Sequence, residues 1–148
     1  MLIIPGLGGS GPQHWQTRWE SLYPRTRRVT QRDWDRPDCE AWRTALESAI
    51  AATPDPVLLV AHSLGCALVA HLASRPAAQR IAAALLVAPA DVDSPERTPQ
   101  ETRSFAPMPT APLPFPATVV ASEDDPYVTL PRARAFAAAW GAATSRRC

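Results

Sequence analysis

Residues 57–71 read Val-Leu-Leu-Val-Ala-His-Ser-Leu-Gly-Cys-Ala-Leu-Val-Ala-His, and the rest of the chain can be arranged around them. It begins with a continuous apolar run of strand length, which favours a buried β-strand. A second apolar run, of helical length, follows His62-Ser63-Leu64-Gly65 with no loop between the two. The pattern predicts a strand that turns sharply into a helix, with Ser63 at the corner.

Ser63 has the position of a nucleophile in this arrangement. A serine at such a turn projects its hydroxyl above the sheet, and the residues two before and two after it must be small because the chain passes close to itself there. Ala61 and Gly65 meet this requirement, although the usual motif, G-x-S-x-G, begins with glycine. The helix leaves the N–H of Leu64 free to donate to an oxyanion. The alternative is a buried strand and helix that contain a serine by chance.

The composition narrows the choice of partner and compartment. A chain of 148 residues predicts one domain, residues 1–148, and its net charge of +1 gives no field that would attract nucleic acid or a membrane surface. The cysteines, Cys39, Cys66 and Cys148, are widely spaced and form no metal-binding or disulfide pattern. The N-terminus has neither a basic segment nor an apolar run long enough for a signal peptide. We therefore expect a cytoplasmic protein with a small-molecule partner and no metal.

A glycine-rich loop, residues 5–11, follows the first predicted strand. Its glycines match the spacing G-x-G-x-x-G, but the acidic residue expected about twenty positions later in a dinucleotide site is only loosely matched by Asp33. The serine corner explains the loop better, because an oxyanion hole needs a second backbone donor near the nucleophile. We assign that donor to the N–H of Leu7 and expect no cofactor.

Strand and helix patterns alternate along the chain. Helices are predicted after a capping-box pattern at Ser10 and Gln13, after Asp38 and after Thr129. Apolar runs predict strands at residues 2–4, 27–31, 57–61, 81–87 and 117–121. The alternation predicts a doubly wound, mostly parallel sheet of about five strands, with the site at the carboxyl ends of the strands.

Three aromatic residues are candidates for substrate binding: His14, which lies beside the glycine loop, Trp15 and Trp34. For Trp15 we favour packing in the core, because it shares a helical spacing with Trp19. His14 could contact substrate or satisfy a backbone carbonyl, and both alternatives stay open. Residues 89–116 hold eight prolines and predict a long connection that packs over the site. Its apolar members are Phe105, Met108, Leu113 and Phe115.

With these motifs, the chain resembles the small α/β-hydrolases of the YdeN and retinoblastoma-binding protein 9 family. The matching motifs are Pro5-Gly6-Leu7-Gly8, Gly11-Pro12-Gln13-His14-Trp15-Gln16, Asp33-Trp34-Asp35-Arg36-Pro37, Ala61-His62-Ser63-Leu64-Gly65, Phe115-Pro116 and Ser122-x-Asp124-Asp125-Pro126-Tyr127. The resemblance implies a minimal α/β-hydrolase fold and a serine hydrolase acting on a carboxylic ester or amide. It implies Ser63 as nucleophile and Asp125 as the triad acid, with Asp124 as the alternative.

The C-terminal part departs from the pattern of this family. In members of this family the catalytic histidine is the last triad residue along the chain, whereas no histidine follows His71 in this sequence. Residues 142–148 resemble nothing in the family, so we expect a truncated chain that lacks the last strand and helix. The strand at residues 117–121 would then expose its edge and promote association.

The missing histidine predicts little ester turnover. His62 is adjacent to Ser63 on a strand, so its side chain should point to the opposite side. His14 is the only other candidate base near the site. A non-catalytic binding domain that retains the hydrolase pocket is the alternative function.

Overall fold

A computed structural model describes residues 1–146 and shows one sheet of six parallel strands. The strands are β1 (Leu2–Ile4), β2 (Arg27–Arg28), β3 (Val57–His62), β4 (Ile81–Val87), β5 (Ala117–Ala121) and β6 (Ala143–Arg146). The helices are α1 (Trp15–Leu22), α2 (Cys39–Ala51), α3 (Leu64–Leu72) and α4 (Leu130–Trp140). The strand order β2-β1-β3-β4-β5-β6 confirms the predicted α/β fold.

The direction in which successive strands are added to the sheet reverses between β1 and β3. The chain moves from β1 outward to β2 on one side, and from β3 through β6 on the other. Ligand sites of open α/β sheets lie at the carboxyl ends of the strands on either side of such a reversal. The two segments that meet there are the glycine-rich loop after β1 and the serine corner after β3.

The two faces of the sheet are covered unequally. Leu59, Leu86 and Val119 point to the face whose buried cluster also contains apolar residues of α2, α3 and α4. The opposite face is covered in part by α1, and Leu58 on that face remains 49% exposed. An apolar groove there is lined by Trp15, Trp19, Leu85, Val87 and Val120.

The sheet has one strand more than predicted. Gly141 ends α4 in the left-handed conformation, with φ of 66°, and turns the chain back along the sheet. Ala143 then pairs with Thr118 of β5, so β5 is not the exposed edge that the sequence predicted. The sequence missed β6 because Ala143-Thr144-Ser145-Arg146 is short and has no apolar alternation. Cys148 lies outside the described residues.

Two helix starts follow the prediction and one does not. The Asp38 carboxylate accepts from the N–H of Ala41 at 2.8 Å, and the Thr129 hydroxyl accepts from that of Arg132 at 3.3 Å. The predicted capping box at Ser10 is wrong. Nδ1 of His14 instead accepts from the N–H of Gln16, at 3.2 Å, and caps α1. A second difference is the length of β2, which covers only Arg27–Arg28.

The long connection after β4 is packed onto the core, as its apolar residues predicted. Phe105, Met108, Leu113 and Phe115 are all buried. The guanidinium of Arg103 holds this connection together, because it donates to the carbonyl oxygens of Val92 at 2.7 Å, Thr98 at 2.6 Å and Ser94 at 3.2 Å. The connection therefore has a defined shape where it passes the carboxyl ends of the strands.

Candidate active site

Ser63 sits at a strained backbone corner between β3 and α3. Its φ of 54° and ψ of −120° are unfavourable for a residue with a side chain, at a typical cost of about 1–3 kcal/mol. The corner is held by hydrogen bonds from the N–H of Ser63 to the carbonyl of Val87 and from the N–H of Cys66 to the carbonyl of Ser63, both 3.0 Å. The structure thus has the sharp turn that the sequence predicted.

The small residues around this corner are required by neighbouring backbone. A Cβ added to Gly65 would lie 2.4 Å from the carbonyl oxygen of Ile4 and 2.8 Å from that of Pro5. Ala61 is fully buried, and it pairs with Ile4 of β1 and Leu86 of β4. The close passage of β1 across the corner leaves room for glycine alone at position 65.

The glycine-rich loop lies directly against the corner. A Cβ added to Gly6 would lie 3.0 Å from Cβ of Ser63 and 3.1 Å from the backbone N of Leu64. Leu7 follows Gly6, and Leu7, Ser63 and Leu64 line one cavity. The structure therefore brings together the three residues that the sequence proposed as nucleophile and oxyanion hole.

Two contacts fix the far side of this loop. The N–H of Gly8 donates to the carbonyl of Trp34 at 3.0 Å, and the guanidinium of Arg28 donates to the carbonyl of Ser10 at 2.9 Å. Arg28 also forms a salt bridge with Glu20 of α1 at 2.6 Å. The loop is anchored to α1 and β2, which preorganises the backbone beside Ser63.

Ser63 lies between two cavities. The first, which we call the inner cavity, has a volume of about 200 Å³ and is lined by Leu7, Leu64, Ala90, Thr98, Thr102 and Tyr127 together with Ser63. The second, which we call the acidic cleft, has a volume of about 320 Å³ and is lined by Ser63, Ser122, Asp124 and Asp125 among others. The serine hydroxyl can therefore be approached from an apolar side and from an acidic side.

Both candidate acids line the acidic cleft. Asp125 is half-buried and its carboxylate accepts from the N–H of Tyr127 at 2.8 Å. Asp124 is exposed and accepts from the hydroxyl of Ser122. Burial raises the pKa of the Cys66 thiol, and the charge of Asp125 raises it further, so Asp125 acts electrostatically on the start of α3. The two carboxylates therefore differ in burial and in hydrogen-bond partner, and Asp125 stays the predicted acid with Asp124 as the alternative.

Comparison with known proteins now adds the family. A family model described as serine hydrolase matches residues 1–147. This chain belongs to the serine hydrolase family. A solved structure described as a YdeN-like hydrolase from Pectobacterium atrosepticum is 31% identical, with a TM-score of 0.85 over 99% of this chain and 75% of that one. No curated protein sequence gave a match.

Two more distant structures show the same fold. The ydeN gene product of B. subtilis has a TM-score of 0.72 at 19% identity, covering 99% of this chain and 83% of that one. Esterase 2 of Thermogutta terrifontis has a TM-score of 0.70 at 18% identity, covering 99% and 69% respectively. At such identities the likeness concerns the arrangement of the sheet and helices.

The histidines of this chain contact groups other than Asp125. His71 Nε2 lies 2.7 Å from the carbonyl oxygen of Phe105. The His62 ring packs against His14, with centroids 4.6 Å apart, and against Trp15 at 6.0 Å. Within residues 1–146, no hydrogen bond joins His14, His62 or His71 to Asp125.

His62 and His14 are electrostatically unusual all the same. Burial lowers the pKa of His62 from 6.5 to about 4, and the neighbouring His14 contributes to this effect. Burial also lowers the pKa of His14, and the charge of Arg28 acts in the same direction. His62 also lines both cavities at Ser63, so a neutral imidazole borders the nucleophile.

The aromatic candidates for substrate binding have structural contacts. Trp34 packs on Gly9, where an added Cβ would lie 2.8 Å from the indole, and against Trp42 with ring centroids 5.5 Å apart. It is not among the residues that line the inner cavity or the acidic cleft. Trp15 is half-buried and lines the apolar groove on the α1 face instead.

Residues that the sequence did not single out complete the site. Thr98, Thr102 and Ala90 line the inner cavity, and all three lie in the long connection after β4. No local pattern marks them, because their position depends on how Arg103 folds that connection. In the described part of the chain, no group of three metal-ligating side chains occurs, and no helix is long and apolar enough to cross a bilayer.

Proposed function

We propose that this protein hydrolyses a carboxylic ester or amide through Ser63. The observation that carries the proposal is the strained Ser63 corner placed directly against the Gly6-Leu7 loop. A strained backbone conformation persists only where the surrounding structure enforces it, and such residues cluster at active sites. Membership of the serine hydrolase family supports the same chemistry.

The proposed reaction begins with attack of the Ser63 hydroxyl oxygen on the substrate carbonyl carbon. The N–H groups of Leu7 and Leu64 donate to the oxyanion, and a base accepts the serine proton. The C–O or C–N bond to the leaving group breaks, and the leaving group takes up a proton. Water then hydrolyses the acyl-serine ester and releases the acid. Asp125 orients and stabilises the protonated base.

The scheme needs a base hydrogen-bonded to Asp125, and residues 1–146 place none there. In that part of the chain, none of His14, His62 and His71 is hydrogen-bonded to the Asp125 carboxylate. We therefore propose slow turnover, since loss of one triad member leaves a residual acceleration of about 10³–10⁴ over water from the oxyanion hole and binding. The same observation favours the second candidate function, a binding domain that keeps the pocket without turnover.

The proposed partners and compartment follow from the site and from the surface charge. A small neutral ester or amide fits cavities of about 200 and 320 Å³, and the net charge of +1 offers no attraction to nucleic acid or membrane. Among residues 1–146, Cys39 and Cys66 are free thiols, which supports a reducing compartment such as the cytoplasm.

Labelling with a fluorophosphonate distinguishes the two functions. A reactive Ser63 gains the phosphonyl group, which intact-mass measurement and peptide mapping locate on that residue. We expect the label to be lost in Ser63→Ala and kept in the matched control Ser21→Ala, whose serine lies on the exposed surface of α1. Absence of label at Ser63 would exclude the hydrolase and leave the binding domain.

A further inference from the structure

The inner cavity has the character of a pocket for an apolar group. Its walls include the side chains of Leu7, Ala90, Pro99 and Tyr127. Ala90 is 3% exposed, whereas Leu7 and Tyr127 are 39% and 49% exposed. The cavity lining therefore extends from residues that reach solvent to a buried one, and Ser63 is among the residues that line it.

The two threonines that line this cavity already have hydrogen-bond partners. The Thr98 hydroxyl lies 3.1 Å from the carbonyl oxygen of Asp91 and 3.0 Å from that of Ser94. The Thr102 hydroxyl donates to the carbonyl oxygen of Pro99 at 2.8 Å. Both threonines are almost fully buried, at 3% and 2% exposure. Their hydroxyls are thus unavailable to a polar substrate group, and the part of each threonine side chain left to contact a ligand is its methyl group.

The shape of the cavity is fixed rather than adaptable. Arg103 donates to the Thr98 hydroxyl at 2.8 Å as well as to the Thr98 carbonyl at 2.6 Å. The segment that carries Thr98 and Thr102 is therefore fixed by hydrogen bonds from the Arg103 guanidinium. A pocket with a fixed wall discriminates sharply by ligand length, because overfilling it forces the surroundings to move.

We propose that the inner cavity binds the acyl group of the substrate and limits it to short chains or one small ring. This assignment rests on the proposed function of Ser63. A cavity of about 150 Å³ is known to hold benzene, so the present volume of about 200 Å³ accommodates roughly six to eight carbon atoms. The acidic cleft on the other side of Ser63 then receives the leaving group.

The test uses alkylphosphonofluoridates with methyl, butyl, hexyl, decyl and dodecyl chains on phosphorus. Ser63 forms a bond to phosphorus, the P–F bond breaks, fluoride leaves and the serine proton passes to water. We expect the labelling rate to rise from methyl to hexyl, by up to roughly fourfold per buried methylene. At dodecyl the rate should fall by at least about tenfold from its maximum.

Two variants test the walls in opposite directions. Ala90→Leu should move the maximum to shorter chains, and Tyr127→Ala should extend it to longer ones by removing a half-exposed side chain that the fold does not need. Ala138→Leu on the exposed surface of α4 is the matched control and should leave the profile unchanged. Equal rates at all chain lengths, or a profile insensitive to both wall variants, would overturn the acyl pocket while leaving Ser63 a nucleophile. No labelling at any length would overturn the proposed function and the pocket together.

Discussion

The partly buried neutral ring of His62 makes the stability of the protein sensitive to mild acid. The pKa of His62 is lowered by burial from 6.5 to about 4, so between these values the unfolded chain binds a proton that the folded chain does not. The free energy of unfolding therefore rises with pH across this window and falls as pH is lowered from 6.5 towards 4. Between pH 7 and pH 5 the loss from this residue is about 2 kcal/mol, an upper value because the ring is only partly buried.

Urea denaturation at pH 7 and at pH 5 measures this loss. His62→Phe removes the titration and keeps an aromatic ring beside Trp15 and His14, so the variant should lose about 2 kcal/mol less than the parent chain. His14→Asn keeps an N-cap acceptor for α1 and removes the neighbouring imidazole, so it should reduce the loss by a smaller amount. An unchanged loss between pH 7 and pH 5 in His62→Phe would refute the explanation.

Two further substitutions test contacts that stabilise the fold. Gly65→Ala places a Cβ 2.4 Å from the carbonyl oxygen of Ile4 and should lower the free energy of unfolding, measured by urea denaturation, by about 3 kcal/mol or more. The control Gly11→Ala should lower it little, because the added atom meets nothing of residues 1–146 within 4 Å. Equal losses in the two variants would contradict the steric argument. Arg132→Met removes two salt bridges, to the buried carboxylate of Asp91 at 3.2 Å and to Asp93 at 2.6 Å. It should lower the free energy of unfolding by roughly 1–3 kcal/mol after allowance for partial exposure. A loss below about 0.5 kcal/mol would show that solvent replaces the guanidinium.

The sequence predicted those parts of the fold that depend on local patterns. The apolar run of β4 and the run of β3 that leads into α3 identified the centre of the sheet, because such runs must be buried. The strand β6 could not be recognised, since it is short and polar and is defined by the turn at Gly141 and by pairing with β5. The start of α1 was missed because Ser10 bonds to the side chain of Gln16 and leaves the cap to His14.

The candidate site was likewise predictable only where local sequence patterns determine it. Ser63, Gly65 and the Gly6 loop were predictable, because a sharp corner and a close passage of backbone each require specific residue types. The lining of the inner cavity was not predictable, since Thr98 is placed there by hydrogen bonds to Arg103 and to carbonyl oxygens of the same connection. Trp34 was a candidate for substrate binding, and no sequence pattern indicated that its indole packs on Gly9 of the glycine-rich loop.

The unequal covering of the sheet has a consequence for mutational tolerance. Leu58 and Leu59 are neighbours in β3, yet Leu58 is 49% exposed and Leu59 is 1% exposed. Truncation of Leu59 to alanine opens a cavity in the buried cluster of the sheet, and such changes typically cost about 2–5 kcal/mol. The same truncation at Leu58 removes a side chain that water already reaches. These two neighbouring positions of β3 are therefore under different degrees of constraint, strict at Leu59 and relaxed at Leu58.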